Sequence, residues 1–417
     1  MHERWNRLLD LLRTSFWFVP LVMLVLAGGL AILLLHVDRL VDPGMKNLLS
    51  WAYNGGPEGA RSLLSTIAGS MITAASVTFS LAAVALSLAS QQYGSRVLRN
   101  FMRDRIMQVL LGTFVATFLY CVMVVRAVRG SSIGGGFVPA ISVTVAIGLS
   151  LASLVMLIYF IHHIVSSIQA SHILRVIAID LAGALPKLYP SQAGKPMSDG
   201  GGLQGIKERG ETSLSVSTDG YVQNLDLDTL LKIATEQDLT LRIAVKPGDH
   251  VLAGAEVARA WGAPELPKEA RKSLIDAFIL GGERTPAQDI RYQFMQLTDV
   301  VIRALSPGIN DPFTAINGID ELTAGAAALA RRSRVADNRQ DEQGVLRLIV
   351  PTTSIDEVLV ETVGHIAIYA AGDSFVMAGL RRLLSAVEPD LHEETQIATL
   401  ARLRNELNRL EKAKAGG

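Results

Sequence analysis

The sequence predicts an α-helical membrane domain of about four spans, followed by a cytoplasmic α+β domain. Three observations predict it. Of the 417 residues 49% are hydrophobic, and almost all of the long apolar stretches lie before Ser166. Four of those stretches are long enough for a ~30 Å hydrocarbon core at 1.5 Å per residue. Beyond Ser166 the pattern changes to charged segments, Gly/Pro punctuation and short amphipathic runs.

Residues 1–165 form the expected transmembrane domain, with spans at about 14–37, 61–90, 106–128 and 137–165. The first apolar run is too long for a cleavable signal core and reads as an anchor. Phe16, Trp17 and Phe18 suit an interfacial aromatic anchor at its start. The second span is longer than the bilayer requires, so it tilts or projects. Pro20 and Pro139 stand near helix starts, where proline is tolerated. No Asp or Glu falls inside these ranges, and no central proline breaks a span. Coupled transporters commonly carry such intramembrane carboxylates or discontinuous helices. His162 and His163 read as a solvated end of the fourth span.

Lys and Arg in the short flanks set the orientation. The N-terminal tail carries Arg4, Arg7 and Arg13, and the loop after the second span carries Arg96, Arg99, Arg103 and Arg105. Arg39, Lys46, Arg61, Arg126 and Arg129 flank the other side. The excess places the N-terminus, and with four spans the C-terminal domain, in the cytoplasm. The basic run 91–105 reads as this signal with headgroup contact, or as an anion-attracting ring at a pore mouth.

The second span carries a stripe of small and hydroxyl residues three or four apart: Ser62, Thr66, Gly69, Thr73, Ser76, Ser80, Ala83, Ser87 and Ser90. That spacing is one face of a helix, and the opposing positions read as mostly Leu, Ile, Val, Met and Phe. Helix packing is one reading, because small residues let backbones approach. A water-lined path is the other, because hydroxyls replace part of an ion's hydration without a fixed charge. Ser65, Ser70 and Thr78 lie off the stripe.

In the second half, Ser166 to about residue 189 reads as a helix continuing out of the membrane. Residues 190–213 are a Gly/Pro/Ser-rich linker. Residues 214–262 form a small β-rich unit that resembles, weakly and locally, half of a barrel-sandwich module. The carrier-lysine hairpin of such modules is missing, so no attached cofactor is implied. Residues 263–417 are expected to be mainly helical. Within them Thr285-Pro286-Ala287-Gln288 reads as a capping box that starts a helix, with Asp289 in its first turn. Ser306-Pro307-Gly308-Ile309-Asn310-Asp311-Pro312 breaks that helix, and Asp311-Pro312 caps the next, which runs from Phe313 to about Ala330. Arg284, Thr285, Gln288, Asp289, Ser306, Asn310, Asp311 and Thr314 are either an anion site at two helix N-termini or caps and a turn alone. Further helices are expected at 354–370 and 374–387. A last amphipathic segment carries Ile397, Leu400, Leu403, Leu407 and Leu410, to pair as a short coiled coil or to pack on its own domain.

Other classes are excluded. There are 39 basic and 39 acidic residues and 6% aromatics, so no nucleic-acid surface is expected. Cys121 is the single cysteine, which rules out an intramolecular disulfide and a cysteine-rich metal site. No catalytic motif occurs, so neither enzyme activity nor a cofactor is expected.

Several runs together resemble a known family. They include Thr66-Ile67-Ala68-Gly69-Ser70-Met71, Phe79-Ser80, 85–94, Leu98-Arg99-Asn100-Phe101, Gly112-Thr113-Phe114 and 159–164 in the membrane half. In the soluble half they are Arg284-Thr285, Gln288-Asp289 and 304–315. The chain resembles the bacterial membrane-protein family catalogued as domain of unknown function 2254. That resemblance implies a bacterial inner-membrane location, and it carries over no substrate and no catalytic residue. Two functional readings follow. One is a homo-oligomeric channel for a small ion, with the second span lining the path and the cytoplasmic domain gating. The other is a non-conducting sensor or scaffold in contact with membrane lipid, binding an anionic ligand or a protein at the 285 and 306–314 loops.

Overall fold

The computed structural model describes residues 17–40, 53–93, 105–130, 137–167, 169–189, 210–262, 266–332 and 338–415. It divides into two compact units, Met1–Gln169 and Ala170–Gly417.

The first unit holds four helices long and apolar enough to cross a membrane. They are α1 (Phe18–Leu40), α2 (Pro57–Tyr93), α3 (Arg105–Ala127) and α4 (Ala140–Ser167). Long uninterrupted apolar runs become helices because a bilayer offers no partner for backbone groups other than the chain itself. Half of the apolar window of α3 is buried, against 17% to 28% in the others. The third span is therefore the central one, and α1, α2 and α4 all pack on it. Gly112 permits the closest approach: a Cβ there would lie 3.2 Å from the Pro20 backbone of α1. Arg96, Arg99 and Arg103 lie outside the described residues.

The expectation of no acidic residue in a span needs correcting. α1 runs past Val37 to Leu40 and so contains Asp38, which is buried. Its carboxylate accepts from the backbone N–H groups of Ile141 (3.0 Å) and Ser142 (2.9 Å) and from the Ser142 hydroxyl (2.6 Å). It thus caps the N-terminus of α4 with a charge matched to the helix dipole. Arg61 does the converse, donating to the Val128 carbonyl (2.8 Å) just past the C-terminus of α3. Tyr120, also buried, donates its hydroxyl to the Ser142 carbonyl (2.9 Å).

The second unit opens with α5 (Ala170–Leu188). α5 is a separate helix and not the continuation of the fourth span expected from the sequence: α4 ends at Ser167 and Gln169 is a bend. Its buried face, Ile173, Leu174, Ile177, Leu181 and Leu185, packs on α8 (Ile290–Ala304) and α9 (Pro312–Ala330). Gly318 and Gly325 of α9 make room for this: a Cβ at Gly318 would meet Val301 and Leu174, and one at Gly325 would meet Leu181 and Phe294. The equal seven-residue steps make α5 and α9 parallel.

The same unit holds two sheets. Strand β1 (Glu211–Ser215) begins inside the stretch read as a linker, because Glu211, Thr212 and Ser213 pair with β5, and β2 (Gly220–Leu225), β3 (Thr240–Ile243), β4 (His250–Val251) and β5 (Glu256–Trp261) come from the predicted β-rich stretch, with α6 (Leu227–Glu236) among them. That stretch is not self-contained. β6 (Phe278–Gly281) follows α7 (Lys268–Asp276), a strand inside the region expected to be mainly helical. β7 (Asn338–Gln340) and β8 (Leu346–Ile349) lie later still. The sheets are ordered β1-β5-β3-β8-β7 and β4-β2-β6, and β3 and β8 run parallel. Their shared core includes Leu214, Val222, Leu225, Leu241, Val257, Phe278 and Leu348.

The remaining helices form where periodicity placed them. α10 (Ile355–Leu359), a π-helical turn (Val360–Gly364) and α11 (His365–Ala370) fill the predicted 354–370 helix. α12 (Ser374–Val387) and α13 (Glu394–Ala415) follow. Leu400, Leu403 and Leu407 of the last apolar stripe are buried in their own unit, whereas Ile397 at its start is exposed.

Candidate functional site

The stripe on the second span turns away from the other helices of its unit. Ser62, Thr66, Gly69, Thr73, Ser76, Ser80 and Ser87 are all exposed on α2, while the Ser90 side chain lies outside the described ones. The face packed into the unit is Ala60, Leu64, Ala68, Ala75, Thr78, Ala82 and Ala85. These are mostly alanines, not the large residues expected opposite the stripe. At 3.6 residues per turn the two faces are centred roughly 160° apart. Packing among the four helices of one chain therefore does not account for the hydroxyls.

Their hydrogen-bonding state is also specific. The hydroxyls of Thr66, Thr73 and Ser76 donate to the carbonyls of Ser62 (2.8 Å), Gly69 (2.9 Å) and Ile72 (2.9 Å). Each donor is used within the helix, which leaves oxygen lone pairs directed outward. Ile72, Val77, Phe79, Leu81, Val84 and Leu88 flank the stripe, also exposed. The outward faces of α1 and α4 are different in kind. They present Leu21, Val25, Leu26, Ile32 and Leu33, and Leu151, Leu154, Val155, Ile158 and Val165. Those are the aliphatic surfaces that lipid requires.

The soluble candidates do not form one site. Arg284, Thr285, Gln288 and Asp289 precede α8, and Ser306, Asn310, Asp311 and Thr314 follow it. The 15 residues of α8 separate the two groups by about 22 Å. The cap of α8 is Asp289, which accepts from the Tyr292 N–H (3.0 Å), and the helix starts at Ile290, not at Pro286. Asp289 is only 2% exposed and pairs with Arg284 at 2.7 Å. Burial pushes its carboxyl above the usual range, with Arg284 opposing that shift. Gln288 binds both backbone groups of Leu225 in β2 instead of capping. At the other end Asp311 accepts from the Thr314 N–H (3.0 Å) and hydroxyl (2.6 Å), which holds its carboxyl below the usual range. The Asp311-Pro312 helix start is as the sequence predicts. Asn310 adopts a left-handed φ of 48°, and the Ser306 hydroxyl donates to the Arg303 carbonyl (2.7 Å). Capping uses the two carboxylates, and the Gln288 amide ties the chain to β2.

Two features had no local signal in the sequence. One is an ionic network around the Lys246–Asp249 turn. Lys246 pairs with Glu357 (2.7 Å), and Arg291 pairs with Glu361 of the π-helical turn and approaches Asp249 (3.8 Å). Its partners lie up to 111 residues apart, so no motif spacing reveals them. The other is a groove of about 640 Å³ on the five-stranded sheet, lined in part by Glu211, Arg242, Glu256, Arg259, Trp261 and Pro351. Arg259 is held by Glu211 (2.7 Å) and Glu256 (2.8 Å). Among the described residues Arg242 has no ion pair, and the buried Trp261 indole N–H has no partner.

Residues 13–386 match the family described as predicted membrane protein (DUF2254). The chain belongs to that family. It is 31% identical over 427 residues to uncharacterized proteins of Mycobacterium bovis and Mycobacterium tuberculosis, covering 96% of this chain and 78% of each relative. No solved structure matches it. The family and the four spans make it a membrane protein, in contact with lipid.

Proposed function

We propose that the chain assembles as a homo-oligomer in the bacterial inner membrane, with the α2 stripes of neighbouring copies lining a path for a small ion. The observation that carries this reading is the outward direction of the hydroxyl face, on a unit whose other outward faces are aliphatic. Oxygen lone pairs along a helix substitute for part of an ion's hydration shell. Asp38, buried within α1, is committed to capping α4 and is not available as a coupling carboxylate, which favours passive conduction. The arginine-rich flanks support a cytoplasmic N-terminus and a cytoplasmic second unit, placed to gate.

Cysteine cross-linking in native membranes tests the assembly. Cys121 is buried and does not compete. Ser76→Cys and Ser80→Cys are expected to form disulfide-linked dimers under mild oxidation, whereas Leu154→Cys on α4 is not. Equal cross-linking at all three, or none at the stripe, would overturn the arrangement.

A membrane-anchored sensor is the second reading, and the sheet groove favours it. An unpaired Arg242 beside Trp261 suits an organic anion with a flat apolar part. This moves the ligand site away from the two loops flanking α8. Protection of Trp261 fluorescence from acrylamide by such an anion, lost in Arg242→Glu, supports this reading. Identical anion affinity in Arg242→Glu excludes that groove.

A further inference from the structure

The Ser306–Phe313 loop uses its polar groups for capping, yet it also displays two large apolar side chains. Phe313 is 80% exposed and Ile309 is 45% exposed. Neither packs into the unit, so capping alone leaves their identity unexplained.

Helix directions show what surrounds them. α9 and α12 are parallel: Ile319 lies against Gly379, Asp320 pairs with Arg382 (2.9 Å) and Arg331 approaches Asp390 (3.7 Å), a nearly constant offset. Phe313 and Phe375 therefore lie at the same end, one at the start of each helix. Phe375 is 76% exposed, and Ile368 and Tyr369, just before the turn into α12, are exposed as well. Five large apolar side chains thus share one tip of the second unit. Solvent-exposed clusters of this kind mark interaction surfaces.

Two further facts select the partner. α5 is parallel to α9, with Leu174 beside Gly318 and Leu181 beside Gly325, so the tip is also the end at which α5 begins. Ala170, which opens α5, follows Ser167, which closes the fourth span, by three residues, so the covalent chain between them can span at most about 10 Å. The second fact is charge. α13 runs antiparallel to α12, as the contacts of Arg381 with Asn408 and of Arg404 with Ser385 show. Its C-terminal Lys412 and Lys414 therefore reach the tip, where Lys414 lies beside Gly372. Asp311 and Asp373, the nearby acids, are committed to capping α9 and α12. Each of those carboxylates is matched to the positive end of the helix it caps, so the ammonium groups of Lys412 and Lys414 are left to meet anions.

We propose that this tip, formed by Ile309, Phe313, Ile368, Tyr369 and Phe375 with Lys412 and Lys414, is a lipid-contacting surface seated in the headgroup region of the membrane. Exposed aromatics beside lysines suit that region: the rings enter the acyl boundary and the ammonium groups meet anionic headgroups. The Ser306–Phe313 run then has two roles, a rigid turn that caps α9 and a mount that holds Ile309 and Phe313 outward.

The test uses the full chain reconstituted in vesicles of equal parts phosphatidylcholine and phosphatidylglycerol. Single cysteines replacing Phe313, Phe375 and, at the opposite end of α9, Arg331 carry an environment-sensitive fluorophore. The labels at 313 and 375 are expected to be blue-shifted and quenched by lipids spin-labelled near the headgroup. The label at 331 is expected to be quenched only by aqueous iodide. Reversing Lys412 and Lys414 to Glu should reduce the lipid quenching at 313 in these vesicles. Labels at 313 and 375 that iodide quenches as freely as 331 overturn the proposal. Labels shielded from both quenchers also overturn it, because protein and not lipid then covers the tip.

Discussion

Replacing Asp38 by alanine is expected to destabilise the first unit more than any exposed substitution in it. The carboxylate accepts three hydrogen bonds at 2.6–3.0 Å, two of them from the N–H groups that open α4. Removing a cap costs about 1 kcal/mol at an exposed helix end. Here the site is buried, so each orphaned N–H adds a desolvation penalty of about 1–3 kcal/mol. The sum is about 3 kcal/mol or more. Asp38→Asn keeps an acceptor oxygen but turns one of the two acceptors into a donor facing Ile141 or Ser142, and should lose roughly half as much. The assay is equilibrium unfolding of the full chain in mixed micelles titrated with sodium dodecyl sulfate. An Asp38→Ala loss within about 0.5 kcal/mol, the range of an ordinary surface change, would refute the capping role.

Three further outcomes follow from the second unit. Arg284→Ala leaves the buried Asp289 carboxylate unpaired and should cost about 3–5 kcal/mol in thermal or denaturant unfolding at neutral pH. Asp289 is already shifted upward by burial, so the folded state binds its proton more tightly than the unfolded chain does. The Arg284→Ala deficit should therefore shrink as pH falls through that raised value and grow as pH rises through it. Asp311→Ala removes the cap of α9 and should cost about 1 kcal/mol. Its carboxyl is held low by Thr314, so this contribution is fully present above the ordinary aspartate range and is lost as pH falls below it. Wild type and variant should converge in acid. Gly325→Val forces a side chain against Leu181 and Phe294 and should cost about 1–3 kcal/mol, read by the same unfolding assay.

What the sequence revealed and what it concealed divide along the range of the interactions. The four spans are set by runs of apolar residues, so they were readable, and so was the Asp311-Pro312 helix start, whose chemistry lies within four residues. Thr285 looked like a cap for the same local reason. It lost to Asp289 because Arg284 and the packing against Gly248 stabilise the later start, and that burial is not written in the spacing. The pairing of Leu241 with Leu348 joins strands more than 100 residues apart, so the β-rich stretch looked self-contained. Asp38 was missed as a span residue because the apolar run weakens at His36, before the helix ends. The α2 stripe was visible as a face, but periodicity does not say what a face meets. Both sides of that helix are built of small residues, alanines on one and hydroxyls on the other, and only the packing of α3 against the alanines distinguishes them. The two candidate loops share a chemistry that invites reading them as one site, but a 15-residue helix lies between them.

The central claim is that the outward hydroxyl face of the second span meets water between copies of the chain. The most direct measurement is ion flux in proteoliposomes holding Thr73→Cys, before and after a membrane-impermeant charged thiosulfonate, with Val155→Cys on the aliphatic face of α4 as control. Flux in both variants that the reagent abolishes at position 73 and leaves unchanged at 155 is the predicted result. A position 73 that the aqueous reagent never modifies, in vesicles that pass no ions, would contradict the account.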